Sequence, residues 1–177
     1  MTRTDELQAD FRQAMAGVCT PVSVVTTLDG DRPHGTTVSA FASLSMNPPM
    51  ILISLDGKSS LLRLLRPGGR FGVNILGSDQ SELALAFARK GAAKFEGVPW
   101  QCDHELPRLG GVSGWLACTV ADLLEGGDHI IVLGTVLVAE SFPGSPLTYH
   151  AREFGTHQPF DPGTGAARPA LVSDRAA

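Results

Sequence analysis

Two long strand-like segments constrain the fold of this chain most strongly. Residues 115–126 and 128–141 are both predominantly apolar, and they meet at Gly126-Gly127. A glycine pair between two strand-like runs predicts a hairpin, so these segments are expected to pair as antiparallel strands.

Shorter strand-like segments precede this hairpin. Residues 20–27 alternate in character and lead into a Gly-containing turn, after which residues 35–45 are expected to return as the second strand of a hairpin. Residues 50–55 form an apolar run typical of a buried strand, and residues 70–76 alternate again. Because most connections suit antiparallel pairing, the sequence predicts a mainly β fold, a small β-barrel with peripheral helices.

Three helices are predicted around these strands. Residues 4–16 carry apolar side chains on one face at Leu7, Phe11 and Met15. Residues 58–69 are expected to form a short helix that ends at Pro-Gly-Gly. Residues 78–90 are expected to form a helix capped by Ser78 or Asp79.

Length and composition indicate one globular domain. Of the 177 residues, 43% are hydrophobic and 18% are charged, and we expect a domain at 1–155 followed by a Pro/Gly/Ala-rich tail at 156–177. The net charge of −4 argues against a nucleic-acid partner.

With no membrane-length apolar run and no secretory signal, a cytoplasmic protein is expected. The three cysteines lack zinc-binding spacing and are expected to be buried: Cys19, Cys102 and Cys118.

A row of small hydroxyl side chains lies in the predicted strand 35–45. Five hydroxyls fall between Thr36 and Ser45, and Gly35 beside them permits close backbone approach. Strand alternation is expected to place four side chains on one face: Thr37, Ser39, Phe41 and Ser43. The pattern is compatible with a flat polar ligand and equally with a solvated strand face.

Two further segments suggest a bound anion. The sequence Asp-Gly-Lys-Ser-Ser at 56–60 leads into a predicted helix, where amides and the helix dipole would favour a phosphate. Simple helix capping remains an alternative. Asp128 and His129 occupy the predicted turn before the last long strand, where the histidine is either a ligand contact, a proton donor or an exposed turn residue. The nucleophile-elbow, zincin and Rossmann motifs are absent.

Taken together, the order of these segments resembles the short-chain flavin reductase family. The blocks that carry the resemblance are TPVSVVTT (20–27), GTTVSAFASLSMNPP (35–49), KSS (58–60), FGVNIL (71–76), KFEGVPW (94–100) and GGDHIIVLGTV (126–136). Members of that family are reductase components of two-component flavin-dependent monooxygenases. The resemblance spans about residues 10–155 and implies an FMN-binding split barrel, usually a homodimer.

The resemblance also implies roles for individual residues. Those implied to contact the flavin ring and ribityl chain are Thr36, Thr37, Val38 and Ser39, with Ser43 on the same strand. Those implied to surround the phosphate are Ser54, Lys58, Ser59 and Ser60. Phe95 is implied to pack near the flavin, and His129 matches a histidine near the nicotinamide, which makes it the candidate catalytic residue.

The expected reaction is hydride transfer from NADH or NADPH to FMN, with FAD possible, and release of reduced flavin to an oxygenase component. Two alternatives stay open. The chain could hold FMN tightly and act on its own substrate, or it could be a non-catalytic flavin-binding module. Some members of the family carry a Lys or Arg close to the hydroxyl row, whereas this chain has Pro33, His34 and Gly35 there.

Overall fold

The computed structural model describes residues 2–91 and 93–160. Within them, two helices are α1 (Arg3–Ala16) and α2 (Ser81–Ala88). The strands are β1 (Thr20–Pro21), β2 (Ser23–Asp29), β3 (Arg32–Val38), β4 (Phe41–Met46), β5 (Pro49–Asp56), β6 (Arg70–Ile75), β7 (Trp100–Asp103), β8 (Leu106–Leu109), β9 (Gly114–Gly126), β10 (His129–Ser141), β11 (Leu147–His150) and β12 (Glu153–Thr156).

The main sheet is antiparallel throughout and has the strand order β3-β2-β6-β9-β10-β5-β4. Its two edge strands, β3 and β4, are consecutive in the chain and are separated only by Ser39 and Ala40. Because so short a link spans only about 10 Å, the sheet must curl until its edges approach each other. The Ser54 amide donates to the Ala40 carbonyl at 2.9 Å, which joins β5 to this link. The predicted mainly β, barrel-like architecture is therefore confirmed.

This geometry corrects the prediction of one continuous strand over 35–45. The hairpin partner of β2 is β3, whereas β4 pairs with β5 at the opposite edge. Side-chain alternation cannot continue across Ser39 and Ala40, since the chain changes edges there. The predicted single face of Thr37, Ser39, Phe41 and Ser43 is consequently wrong.

The interior of the curled sheet is filled by large apolar side chains. Phe71 and Ile53 are fully buried there, and they pack with the side chains of Leu61 and Leu65. A second cluster includes Ala84 and Phe87 of α2 together with side chains of the sheet such as Val24. Each such side chain contributes about 1.5–3 kcal/mol by its removal from water.

The segment 58–69 is not the predicted helix. It forms successive turns in which the Leu64 amide donates to Leu61 and the Leu65 amide to Leu62, each three residues back. Leu61 and Leu65 point into the core, so burial of these side chains explains the leucine spacing without a helix. Residues 67–69, Pro-Gly-Gly, do end the segment as expected.

The other two helix predictions are confirmed in position but not in detail. Helix α1 begins with a capping box between Thr2 and Asp5, and it has no buried residue. Helix α2 has Gln80 rather than Ser78 or Asp79 at its N-cap, without a side-chain cap. Instead, Gln80 accepts from the Gly77 amide and donates to the Gly110 carbonyl. No helix in 2–91 or 93–160 is long and apolar enough to cross a membrane.

Some elements had no counterpart in the sequence prediction. Strands β7 and β8 form a small hairpin, and β11 and β12 form a sheet with β1. Strand β12 ends at Thr156, and residues 161–177 of the predicted tail lie outside the described residues. Of the cysteines, only Cys118 is buried as expected, and the other two are exposed.

Candidate functional site

A cleft of about 630 Å³ opens where β3 and β5 approach each other. Its volume lies in the range of small-molecule and cofactor sites. Three chain segments and one isolated residue contribute to it. Its lining residues are Thr36, Thr37, Val38, Ser39, Ala40, Ser54, Leu55, Asp56, Lys58, Ser59, Ser60, Arg63, Ala88, Arg89, Lys90, Gly91, Lys94 and His129.

The floor of the cleft is formed by the end of β3 and the facing part of β5. The hydroxyls of Thr36, Ser39 and Ser54 line it, and within the described residues they make no side-chain hydrogen bond to protein groups. Thr37 differs, because its hydroxyl donates to the Ala84 carbonyl of α2 at 2.6 Å. Three of the hydroxyls are therefore available to a ligand, and one braces the wall.

Gly35 has a structural role that differs from the predicted approach to a ligand. A Cβ built at this position would lie 2.7 Å from Cε1 of Phe87 on α2. The absence of a side chain thus lets α2 pack closely on β3. Within the protein, the close approach that this glycine permits is that of the Phe87 side chain.

The turn at 56–60 forms the wall on the β5 side. The Gly57 amide donates to the Asp128 carbonyl at 2.9 Å, which ties this turn to the β9–β10 turn. The amides of Lys58 and Ser59 donate to Asp56, at 2.7 Å to its carboxylate and 2.8 Å to its carbonyl. These amides are already paired, and no helix follows them, so an anion here would be bound by side chains rather than by a helix N-terminus.

His129 stands on this same wall, at the start of β10. Its Nδ1 lies 2.7 Å from Oδ1 of Asp128, and it is the Cα partner of Asp56 in the β5–β10 pairing. The hydrogen bond with His129, followed by the charges of His129 and Lys58, lowers the pKa of the Asp128 carboxyl below its ordinary value. The contact engages Nδ1 and leaves Nε2 as the ring nitrogen not held by Asp128.

The opposite wall follows α2, and we call it the α2 wall: residues 88–91 and Lys94. The Lys94 ammonium donates to the carbonyls of Phe87 at 2.8 Å and Gly35 at 3.1 Å. Burial lowers the pKa of this ammonium below the ordinary value for lysine. Lys94 thus supplies the cation near the hydroxyl row that the neighbouring residues 33–35 lack.

Cationic side chains dominate the cleft, although the chain as a whole is acidic. Its cations are Lys58, Arg63, Arg89, Lys90 and Lys94, against the single carboxylate of Asp56. Such a concentration of one sign of charge favours a polyanionic ligand. Sequence reasoning assigned only Lys58 to the site, because the segments that carry Arg63 and the cations of 89–94 meet only in the folded chain.

Most of the sequence-predicted site residues meet in this cleft. Those that line it are Thr36, Thr37, Val38, Ser39, Ser54, Lys58, Ser59, Ser60 and His129. Ser43 does not, because it lies exposed on β4 at the far edge of the sheet. Phe95 packs edge-on against Phe87 at 4.9 Å between ring centroids, in the core behind the α2 wall.

The structure is a curled antiparallel sheet with a cationic cleft. Comparison with known proteins identifies the family of the chain. A model of the flavin reductase like domain matches residues 15–158. The reductase component of a 4-nitrophenol 4-monooxygenase/4-nitrocatechol 2-monooxygenase from Rhodococcus opacus is 38% identical over 153 residues, covering 86% of this chain and 83% of that protein.

Two further similarities agree with this match. The NADH:riboflavin 5'-phosphate oxidoreductase of Streptomyces pristinaespiralis is 36% identical over 158 residues, covering 86% of this chain and 89% of that protein. A solved structure of the Streptomyces globisporus NADH:FAD oxidoreductase SgcE6, in complex with NAD and FAD fragments, has a TM-score of 0.79 and 30% identity. It covers 89% of this chain and 94% of its own. The chain therefore belongs to the flavin reductase like domain family, and its class of activity is NAD(P)H-dependent flavin reduction.

Proposed function

We propose that this chain transfers a hydride from NADH or NADPH to FMN and releases the reduced flavin to a flavin-dependent oxygenase. One observation supports this proposal most directly. The curled sheet gathers the hydroxyl row, the 56–60 turn and His129 around one cleft, although they are far apart in sequence. Their chemistry suits a ligand with a polar ring edge, a polyol chain and a phosphate.

The chain's own residues fit FMN in specific ways. The hydroxyls of Thr36, Ser39 and Ser54 provide donors and acceptors for the polar edge of the ring and the ribityl chain. Lys58, with the hydroxyls of Ser59 and Ser60, would hold the phosphate by charge and hydrogen bonds. When bound, the flavin supplies the hydride acceptor, and the protein contributes positioning.

His129 is proposed to contact the nicotinamide end of the hydride donor. Asp128 contacts its Nδ1, so Nε2 is the ring nitrogen left for a ligand at the edge of the cleft. Hydride transfer needs no general acid at this position. His129 therefore orients the donor rather than exchanging a proton with it.

The relatives guide the choice of cofactors. One relative is named as an NADH:riboflavin 5'-phosphate oxidoreductase and a solved neighbour as an NADH:FAD oxidoreductase. NADH and FMN are accordingly proposed as the preferred pair, with FAD as the other flavin. The Rhodococcus relative is the reductase component of a monooxygenase, which supports an oxygenase as the recipient of reduced flavin.

A homodimer is also proposed, supported by the surface of α1. The three side chains of its apolar stripe, Leu7, Phe11 and Met15, are 69%, 64% and 47% exposed. A second copy of the chain would cover this stripe. Light scattering should then give twice the mass of one chain, and the Phe11→Asp variant should give the mass of a single chain.

A cytoplasmic location fits the exposed unpaired thiols, and cell fractionation tests it.

The phosphate assignment is tested by comparing FMN with riboflavin, which lacks the phosphate. Lys58→Met should weaken FMN binding, measured by quenching of flavin fluorescence, and leave riboflavin binding nearly unchanged. The matched control is Lys90→Met, which removes a lysine from the opposite wall. If Lys58→Met weakened the binding of FMN and of riboflavin equally, the turn at 56–60 would not be the phosphate site.

A further inference from the structure

The cationic charge of the cleft exceeds what one flavin phosphate requires. Five cations face one carboxylate, so the lining carries a formal charge of +4 when His129 is neutral. A phosphate monoester carries about −1.5 to −2 at pH 7. The turn that holds Lys58 can therefore meet the needs of FMN while much positive charge remains.

This remaining charge is separated from Lys58 by the floor of the cleft. The 56–60 turn belongs to the β5–β10 side, to which the Gly57–Asp128 hydrogen bond joins it. The α2 wall belongs to the β3 side, to which the Thr37–Ala84 and Lys94–Gly35 hydrogen bonds join it. The two sets of cations are thus carried by different elements on opposite sides of the hydroxyl row.

The cations of the α2 wall lie beyond the helix, and no carboxylate of residues 2–91 or 93–160 forms an ion pair with them. Arg89 is the C-cap of α2, and its extended backbone leads the chain away from the helix. Within the described residues, neither Arg89 nor Lys90 takes part in an ion pair. Lys94, held by two carbonyls, keeps one ammonium N–H for a further acceptor. An anion on this wall would meet the held ammonium of Lys94 and two exposed cations that lack a protein counter-ion within the described residues.

We propose that the α2 wall binds the diphosphate of the nicotinamide dinucleotide, with Arg89 and Lys90 as its principal contacts. This inference rests on the proposed function, because hydride transfer requires the donor and the flavin to occupy the cleft together. Two polyanions bound at once repel each other, so binding them on opposite walls reduces the repulsion. The flavin phosphate then lies at the 56–60 turn and the dinucleotide diphosphate at the α2 wall.

The test compares the double variant Arg89→Gln/Lys90→Gln with the wild-type chain. NAD⁺ is titrated calorimetrically into FMN-saturated protein, and FMN binding is measured separately by fluorescence quenching. Exposed charge pairs contribute modestly, so the Kd for NAD⁺ should rise about three- to tenfold, with a weaker dependence on salt. The Kd for FMN should stay within about twofold. Arg3→Gln/Arg12→Gln on α1 removes the same charge from residues that do not line the cleft and should change neither constant.

The outcomes separate the alternatives. A rise in the Kd for FMN with that for NAD⁺ unchanged would assign the α2 wall to the flavin phosphate and overturn the proposal. A selective loss of FAD binding relative to FMN, with NAD⁺ unchanged, would show instead that this wall holds the second phosphate of FAD. Changes no larger than in the α1 control would show that the wall binds no ligand. Failure of the proposed function is distinct, since wild-type protein would then show no flavin-dependent NADH oxidation.

Discussion

Replacing Gly35 with alanine should damage both the stability of the chain and its ligand cleft. The added Cβ would lie 2.7 and 2.9 Å from two ring carbons of Phe87 and 3.3 Å from the Val25 carbonyl. Ordinary van der Waals contact begins at 3.4 Å, so the ring must move by about 0.7 Å. Phe87 is fully buried and packs edge-on against Phe95 at 4.9 Å, so this movement displaces α2.

Overpacking of this kind costs about 1–3 kcal/mol. Urea denaturation followed by far-UV circular dichroism should therefore show Gly35→Ala to be less stable by that amount. Since α2 carries the wall with Lys94, flavin affinity should fall as well. Gly155→Ala is the matched control, because its Cβ meets only the Thr148 hydroxyl at 3.6 Å, and it should cost less than about 0.5 kcal/mol.

A second substitution separates this mechanism from a general backbone effect. Phe87→Leu creates space beside Gly35, so the double variant Gly35→Ala/Phe87→Leu should be less destabilised than the sum of the two single variants. Additive losses, or a Gly35→Ala variant as stable as the Gly155→Ala control, would refute the steric contact as the reason for glycine at this position.

Three further outcomes are expected. His129→Ala should raise the KM for the nicotinamide cofactor and slow turnover without abolishing it. If neither KM nor turnover changed in steady-state assays, His129 would not have the role assigned to it. Asn74→Ala should lower the free energy of unfolding by about 2–3 kcal/mol, because the buried Asn74 side chain accepts a hydrogen bond from the Leu109 amide at 2.8 Å. A loss of less than about 0.5 kcal/mol, measured by urea denaturation, would contradict this. Burial raises the pKa of the Cys118 thiol to about 12. A thiol reagent at pH 8 should therefore label the two exposed cysteines in the native chain and all three cysteines in urea. Labelling of Cys118 in the native chain would contradict its burial.

The antiparallel architecture could be predicted because its largest hairpin is local. Both strands of β9–β10 are long and apolar, and the turn residue Gly127 has a positive φ of 71° that glycine adopts freely. The division between β3 and β4 was not accessible in this way. Residues 35–45 keep a strand-like pattern throughout, and only the long-range pairing of β4 with β5 shows that the chain changes edges at Ser39 and Ala40.

The helix predicted at 58–69 failed for a similar reason. Leu61 and Leu65 are spaced as on one helical face, but a chain of turns buries the same side chains. Arg89 and Lys90 could not be assigned to the site from the sequence, because only the fold shows that they line the same cleft as the hydroxyl row. The block KFEGVPW did mark Lys94, although its ammonium contacts Gly35 and Phe87, residues from two other segments.

The most direct test of the account is the consumption of NADH and NADPH by the purified chain in air, with and without added FMN, FAD and riboflavin. The account predicts rapid oxidation that depends on added flavin, with FMN and NADH as the preferred pair. Yellow protein that retains its flavin through gel filtration, and needs none added, would instead indicate a tightly held prosthetic group. No oxidation with any combination, despite measurable flavin binding, would contradict hydride transfer and leave the cleft as a flavin-binding site alone.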